Sequence, residues 1–260
     1  MVAISLHSIV PVRAEAREGS EQLTQMLFGE LCEMLEEKPR WNRIKLHFDG
    51  QEGWVDSKMI TPMSSQEYET YHRALSSSAT VAFPMAYAAS ENNSQTIPLT
   101  AGTRLANYKE GRFELLGVGF RIDPEMVIEK PLVMNQQNLL QAVRFFLNIP
   151  YLWGGKNALG MDCSGFCQII MSLFGKSLFR NTSEQATQGV EVKNLQNAQA
   201  GDLAFFDHND GKISHVGIVI DAERIIHCSG RVKVEKLDEI GIFKSEMGDH
   251  SHHLVQIRRL

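Results

Sequence analysis

Cysteine is scarce in this chain, with four residues in 260. That is too few for a fold stapled by disulfides. Long apolar runs are also missing: no window holds ~18 consecutive apolar residues, so no helix is expected to span a bilayer. Basic charge is not in excess. The 26 Lys and Arg stand against 31 Asp and Glu, for a net charge of −5, whereas a nucleic-acid surface needs clustered Lys and Arg. The parts of an export leader are incomplete as well. In MVAISLHSIVPVRAEAREGS no Lys or Arg precedes the apolar part, and His7 and Pro11 interrupt it, although an AEA follows. The stretch reads as a first β-strand. With Met1 as the native start the protein is expected to stay in the cytoplasm; a removed signal would place it in the periplasm or at the cell surface.

What is present is ordinary for a globular chain, 43% hydrophobic and 22% charged, and the length exceeds one typical domain. Residues 1–62 hold short strand-like runs punctuated by Gly29, Gly50 and Gly53, the texture of a small β-barrel. Asp49-Gly50 between alternating runs signals a hairpin. Residues 63–77 are polar and read as a linker containing a short helix. Residues 78–128 repeat the strand pattern and predict a second small barrel. From 129 to 260 the texture changes to helices followed by an antiparallel set of strands, an α+β domain. NQQNLLQAVRFFLNIPY predicts a helix capped by Asn135 and stopped by Pro150, with Leu139, Leu140, Val143, Phe146 and Leu147 on one face. A second helix starts near Asp162 and ends at Gly175. NTSEQATQG predicts a third, with Thr182 and Gln185 at capping-box spacing and Gly189 as its stop. The strands expected after it are GDLAFFD, ISHVGIVI, RIIHCSG and HHLVQIRRL.

YLWGGKNALGMDCSGFCQ, residues 151–168, concentrates the chemistry. If the helix begins at Asp162, Cys163 lies in its first turn, where unpaired N–H groups and the macrodipole favour a thiolate. Gly154, Gly155 and Gly165 let backbone pass close to the sulfur. Cys167, one turn deeper, reads as a small buried apolar residue. A thiolate nucleophile needs a base. His215 lies opposite in alternation to Val216, Ile218 and Ile220, and His227 follows on the next strand. A tight antiparallel pair would set the two histidines side by side, with His227 orienting His215 as the third member of a triad does.

These residues carry a resemblance. YLWGG…MDCSGFCQ, GDLAFF, SHVGIVI and IIHCSG, in that order over about residues 135–260, resemble the NlpC-type cell-wall peptidases, a bacterial branch of the papain-like cysteine peptidases. The resemblance implies Cys163 as nucleophile, His215 as base and His227 as the orienting group. It implies a papain-like α+β domain with a helix-borne cysteine packed on an antiparallel sheet, and no cofactor or metal. PYLWGG and SEQLTQMLFGE…GQEGWV also resemble the dipeptidyl-peptidase VI, or γ-D-glutamyl-L-diamino acid endopeptidase, type, in which two bacterial SH3-like domains precede the catalytic one. That type implies a murein peptide as partner. It cuts the γ-D-glutamyl bond to a diamino acid, releases L-Ala-γ-D-Glu and needs the free amine of L-alanine. Tyr151, Trp153, Asp162 and Ser164 match its substrate-pocket positions, and Glu21 matches the acid supplied by the first SH3-like domain. Gln51 stands where a tyrosine is common, a departure in the amine pocket. The diamino acid, meso-diaminopimelate or lysine, stays open.

Plainer readings stand beside these. Asp162 as N-cap would be tied to backbone; Tyr151 and Trp153 would be core aromatics; Glu21 would be a solvated strand residue. His250, His252 and His253 would be exposed, unliganded histidines. A zinc site built from Cys163, Cys167, His227 and Cys228 would need a bulge, because adjacent residues on a strand face opposite ways. Two further functions remain, a general peptidoglycan hydrolase anchored by its SH3-like domains and a non-catalytic wall-binding protein. The Cys, His and His set argues against the last.

Overall fold

Alternation of apolar and polar residues becomes short paired strands, as in WNRIKL, where Arg43 and Lys45 are exposed while their neighbours are buried. The computed structural model describes residues 1–208, 211–245 and 248–260. The chain forms two units, Met1–Pro131 and Leu132–Leu260. Among the described residues no helix is long and apolar enough to cross a membrane.

The first unit begins with β1 (Val2–Ile4), β2 (Ile9–Arg13), β3 (Gln22–Leu27), β4 (Leu31–Lys38), β5 (Trp41–Leu46), β6 (Glu52–Asp56) and β7 (Thr61–Pro62), in the order β3-β2-β6-β5-β4-β1-β7. β5 and β6 pair across the Asp49-Gly50 turn, where Gly50 has φ +76°. Val10, Val12, Met26, Ile44 and Val55 fill the core of this sheet. Then comes α1 (Ser65–Ala74), closed at its start by a Ser64–Glu67 capping box. This segment, expected as a linker, is not a free one. Tyr71 is buried, and its hydroxyl donates to the Gly29 carbonyl at 3.0 Å. Tyr71 and Met63 join one apolar cluster with Phe28, Leu31, Val81, Leu105 and Phe120. The short polar helix expected here forms, and its buried contacts lie on one narrow face. β8 (Ala79–Val81), β11 (Arg104–Leu105) and β14 (Val127–Ile128) form a three-stranded sheet. β9 (Met85–Ser90), β10 (Thr96–Thr100), β12 (Arg112–Leu115) and β13 (Val118–Ile122) form a four-stranded one.

The second unit opens with α2 (Gln136–Val143), whose cap Asn135 accepts from the Asn138 N–H. The helix stops well before Pro150. The chain turns instead through Asn148 at φ +68°, so Phe146 still reaches the core while Leu147 is left 41% exposed. A two-stranded hairpin, β15 (Lys156–Asn157) and β16 (Gly160–Met161), leads into α3 (Cys163–Leu173), nearly all of which is buried. α4 (Thr182–Gln185) has Asn181 rather than Thr182 at its N-cap position, and the expected capping box does not form. β17 (Val190–Val192) precedes β18 (Leu203–Asp207), β19 (His215–Asp221), β20 (Arg224–Ser229), β21 (Arg231–Leu237), β22 (Gly241–Lys244) and β23 (Asp249–Arg259). The long β23 pairs with both β18 and β22, so these last six strands close into a ring. Phe206, Val219, Ile225, Leu237, Ile242 and Ile257 fill the ring. α2 and α3 pack outside it on β19.

Candidate active site

Glycines let the start of α3 sit tightly against the loop before it. A Cβ on Gly165 would lie 2.3 Å from the Gly155 carbonyl oxygen, and one on Gly155 would lie 2.5 Å from the Gly160 oxygen. Neither position tolerates a side chain. Cys163 is the first residue of α3 and is 6% exposed. Its sulfur faces the Thr182 hydroxyl at 3.8 Å and the backbone N–H groups of Val216 and Ser164. Burial, followed by the Asp162 charge, pushes the thiol above its ordinary value, and those three donors oppose the shift.

The Val216 contact brings the sulfur to the start of β19, where His215 begins the strand. His215 pairs across with Phe206 and therefore shares the inner face of the ring. His227 lies opposite Gly217, diagonal to His215 on the same face. Gly217 makes that diagonal possible, because a Cβ there would stand 2.9 Å from the His227 Cβ and 2.7 Å from Ile225 Cδ1. The His215 Nε2 and His227 Nδ1 atoms are 2.7 Å apart. The line continues to a residue the sequence reading did not include: His227 Nε2 lies 2.7 Å from the Glu235 carboxylate on β21.

This line fixes the tautomers. Burial pushes the Glu235 carboxyl up, but hydrogen bonds from His227 and Lys233, with the Lys233 charge, outweigh it and bring its pKa down to about 2. A carboxylate only accepts, so His227 donates through Nε2–H. Burial, opposed by Glu235, holds His227 below the usual histidine range and neutral, so its Nδ1 carries a lone pair and accepts from His215 Nε2–H. The lone pair of neutral His215 is left on Nδ1, the nitrogen free to take a proton from a thiol. Burial, then the neighbouring His227, His252 and His208, push His215 well below its ordinary value.

Asp162 caps α3 by accepting from the Gly165 N–H at 2.7 Å, and it also accepts from the Gly154 N–H at 2.9 Å. Its carboxylate makes a two-pronged pair with the Arg180 guanidinium, and both groups are buried. Arg180 also donates to the Ser164 hydroxyl at 2.7 Å. Capping and ion pairing therefore coincide at Asp162. Arg180 was not foreseen, since it follows α3 in an irregular segment with no periodic signal. Tyr151 is 36% exposed and Trp153 61%, so neither is the core aromatic of the plainer reading. Burial and the nearby Cys163 and Asp162 charges raise the Tyr151 phenol, keeping it a neutral donor. Ser164 is buried beside Arg180. Glu21 is exposed in the first unit, directly before β3.

The other cysteines and histidines diverge. Cys228 donates to the Met161 carbonyl at 3.0 Å, and Cys167 is fully buried. His250 bonds Asp238 at 2.8 Å, while His252 is 8% exposed and lies against His215, contrary to the expected exposed cluster. Closure of the ring by β23 carries His252 inward, opposite Ile242. Among the described residues no three His, Cys, Asp or Glu side chains are grouped to hold a metal ion.

Residues 148–250 match the NlpC/P60 family, and residues 9–61 match the bacterial SH3 domain. The chain is 29% identical over 218 residues to a γ-D-glutamyl-L-lysine dipeptidyl-peptidase of Bacillus subtilis, spanning 78% of this chain and 71% of that protein. It is 26% identical over 228 residues to the Bacillus cereus protein of the same name, spanning 78% and 66%. In fold it is similar to the crystal structure of an NlpC/P60 family protein from Bacillus cereus, with a TM-score of 0.84 at 19% identity over 100% of this chain and 99% of that one. The chain thus joins a cysteine-peptidase domain of the NlpC/P60 family to a bacterial SH3 domain.

Proposed function

We propose that this protein hydrolyses the γ-D-glutamyl–diamino acid bond of murein peptides that carry a free N-terminal L-Ala, releasing L-Ala-γ-D-Glu. The observation that carries the reading is the hydrogen-bonded line His215–His227–Glu235, with the Cys163 sulfur, at the start of a buried helix, against the backbone N–H of Val216, the residue after His215. The names of the two Bacillus relatives support the choice of bond.

The geometry fits acyl transfer. His215 Nδ1 takes the Cys163 proton as the sulfur attacks the γ-carbonyl carbon, forming a C–S bond and a tetrahedral oxyanion. The imidazolium returns that proton to the departing amine, the C–N bond breaks, and a thioester remains. His215 then deprotonates a water, which attacks the thioester. The C–S bond breaks, the dipeptide leaves with a new carboxylate, and the thiol regains its proton. His227 and Glu235 keep Nδ1 unprotonated at the start of each cycle. The neutral Tyr151 phenol is a donor for the developing oxyanion.

The free-amine requirement is tested with L-Ala-γ-D-Glu-diamino acid tripeptides, free and N-acetylated. An ammonium arriving at Asp162 must share a carboxylate already engaged by Gly154, Gly165 and Arg180. Losing a buried charged hydrogen bond costs ~2–5 kcal/mol, and sharing points to the low end, so the acetylated peptide should be cut about 30-fold more slowly. Equal rates would favour a general wall hydrolase.

A further inference from the structure

Four imidazoles gather at one mouth of the six-stranded ring. His215 starts β19, His227 is on β20, His252 is on β23 and His208 follows β18. His252 lies flat on His215, with ring centroids 4.2 Å apart and planes 29° apart. It is 6.1 Å from His227, edge-on, and 5.2 Å from His208. Phe206 closes the other side edge-on, at 6.3 Å from His252. The Ser251 hydroxyl sits 2.9 Å from His252 Nδ1 and 3.4 Å from the Ile242 carbonyl.

The hydrogen bond from His215 Nε2 to His227 fixes the edge of the His215 ring but leaves rotation about that bond free. Such a rotation would swing Nδ1 away from Cys163. A flat, buried ring against the face of His215 blocks it. We propose that His252 is a positioning residue that clamps the plane of His215, so that edge and face contacts together aim Nδ1 at the Cys163 thiol. The inference rests on His215 being the base.

The charges around His252 suit this role. The groups facing it are His208 from the end of β18, His215 from β19, His227 from β20, and Lys233 and Glu235 from β21. Across from it on β22 stands uncharged Ile242. On its own strand Ser251 touches it and His250 is held by Asp238. Burial, then His227 and His208, lower its pKa to about 4, against the opposing pull of Glu235. At neutral pH the clamp is an uncharged ring, which tolerates an imidazolium forming on His215. Once protonated it competes with His215 as a like charge.

The test is the rate of Cys163 alkylation by iodoacetamide as a function of pH, which needs no knowledge of the substrate. Wild type, His252→Ala, His252→Phe and His215→Ala are compared, with thermal unfolding recorded for each. His252→Ala should lower the plateau rate about 10-fold or more, as a misaimed reactive group does. His252→Phe keeps a flat ring and should restore the plateau to within about 3-fold, the cation tolerance of an aromatic face being retained. Its acid limb should move to higher pH, because His215 no longer shares its surroundings with a second titrating imidazole. A normal plateau in His252→Ala, a His252→Phe as slow as the alanine variant, or an unmoved acid limb in His252→Phe overturns the proposal. If His252→Ala does not fold, the plateau and acid limb of His252→Phe decide alone. Slow alkylation in His215→Ala beside normal alkylation in His252→Ala removes the clamp only. Fast alkylation in His215→Ala removes the base assignment itself.

Discussion

Replacing Glu235 by alanine takes the acceptor away from the far end of the imidazole line. His227 is fully buried, so its Nε2–H would be left without a partner 2.7 Å from where the carboxylate stood. A hydrogen bond to a charged group contributes about 1.5–3 kcal/mol. His227 can escape that loss by moving its proton to Nδ1, but the Nε2 of His215 must then accept. His215 would carry its proton on Nδ1, the nitrogen that must take the thiol proton. The unproductive tautomer gains what the productive one loses, so kcat/KM should fall about 10- to 100-fold. Glu235→Gln keeps an amide oxygen able to accept from Nε2–H, and a neutral bond is about half as strong, so the loss should be about 3- to 10-fold. The assay is kcat/KM on the free tripeptide at neutral pH, with Cys163 alkylation as a second readout. A Glu235→Ala enzyme within about 2-fold of wild type, or a glutamine variant as damaged as the alanine one, would refute the tautomer reasoning.

Gly217→Ala should push His227 off its diagonal and lower kcat about 100-fold while the chain still folds; unchanged kcat would show that the 2.9 Å approach relaxes harmlessly. Asp162→Asn takes the Asp162 charge away from the buried Arg180 guanidinium and should destabilise the catalytic unit by about 3–5 kcal/mol, read as a lower urea midpoint. His252 has an ordinary histidine pKa when unfolded and about 4 when folded. Below the unfolded value the unfolded chain binds the extra proton, so stability is full above that value and falls as pH drops toward 4. The loss at pH 5 relative to pH 7 is about 2 kcal/mol from this residue, and a urea midpoint that does not change between those pH values would contradict it. Limiting iodoacetamide should label Cys163 before Cys32 and Cys228, which burial pushes up to about 12, and before fully buried Cys167; peptide mapping reads the order.

The parts of the site legible in sequence are those whose signal is local. Cys163 stands beside a cap and between glycines that backbone packing demands, and His215 and His227 sit on strands with plain alternation joined by a short turn. Glu235, Arg180 and His252 were not legible as site residues because each is brought in by tertiary pairing. Glu235 belongs to RVKVEKL, where Val232 and Val234 alternate with charged residues, a strand signal that could have been read. His252 reaches the site only because β23 closes the ring, which no local pattern encodes. Arg180 lies in an irregular segment and meets Asp162 across 18 residues of chain. The early end of α2 was hidden for a similar reason: Phe146 continues the apolar pattern but is placed by a turn at Asn148 rather than by a helix. Thr182, expected to cap α4, instead turns its hydroxyl to the Cys163 sulfur.

The most direct measurement is mass spectrometry of L-Ala-γ-D-Glu-diamino acid tripeptide incubated with the wild-type protein and with Cys163→Ala. The account predicts L-Ala-γ-D-Glu and the free diamino acid from the wild type, and a rate lower by several orders of magnitude from the variant, since the members of such a site act as a unit. An intact tripeptide after wild-type incubation, or equal product from Cys163→Ala, would contradict it.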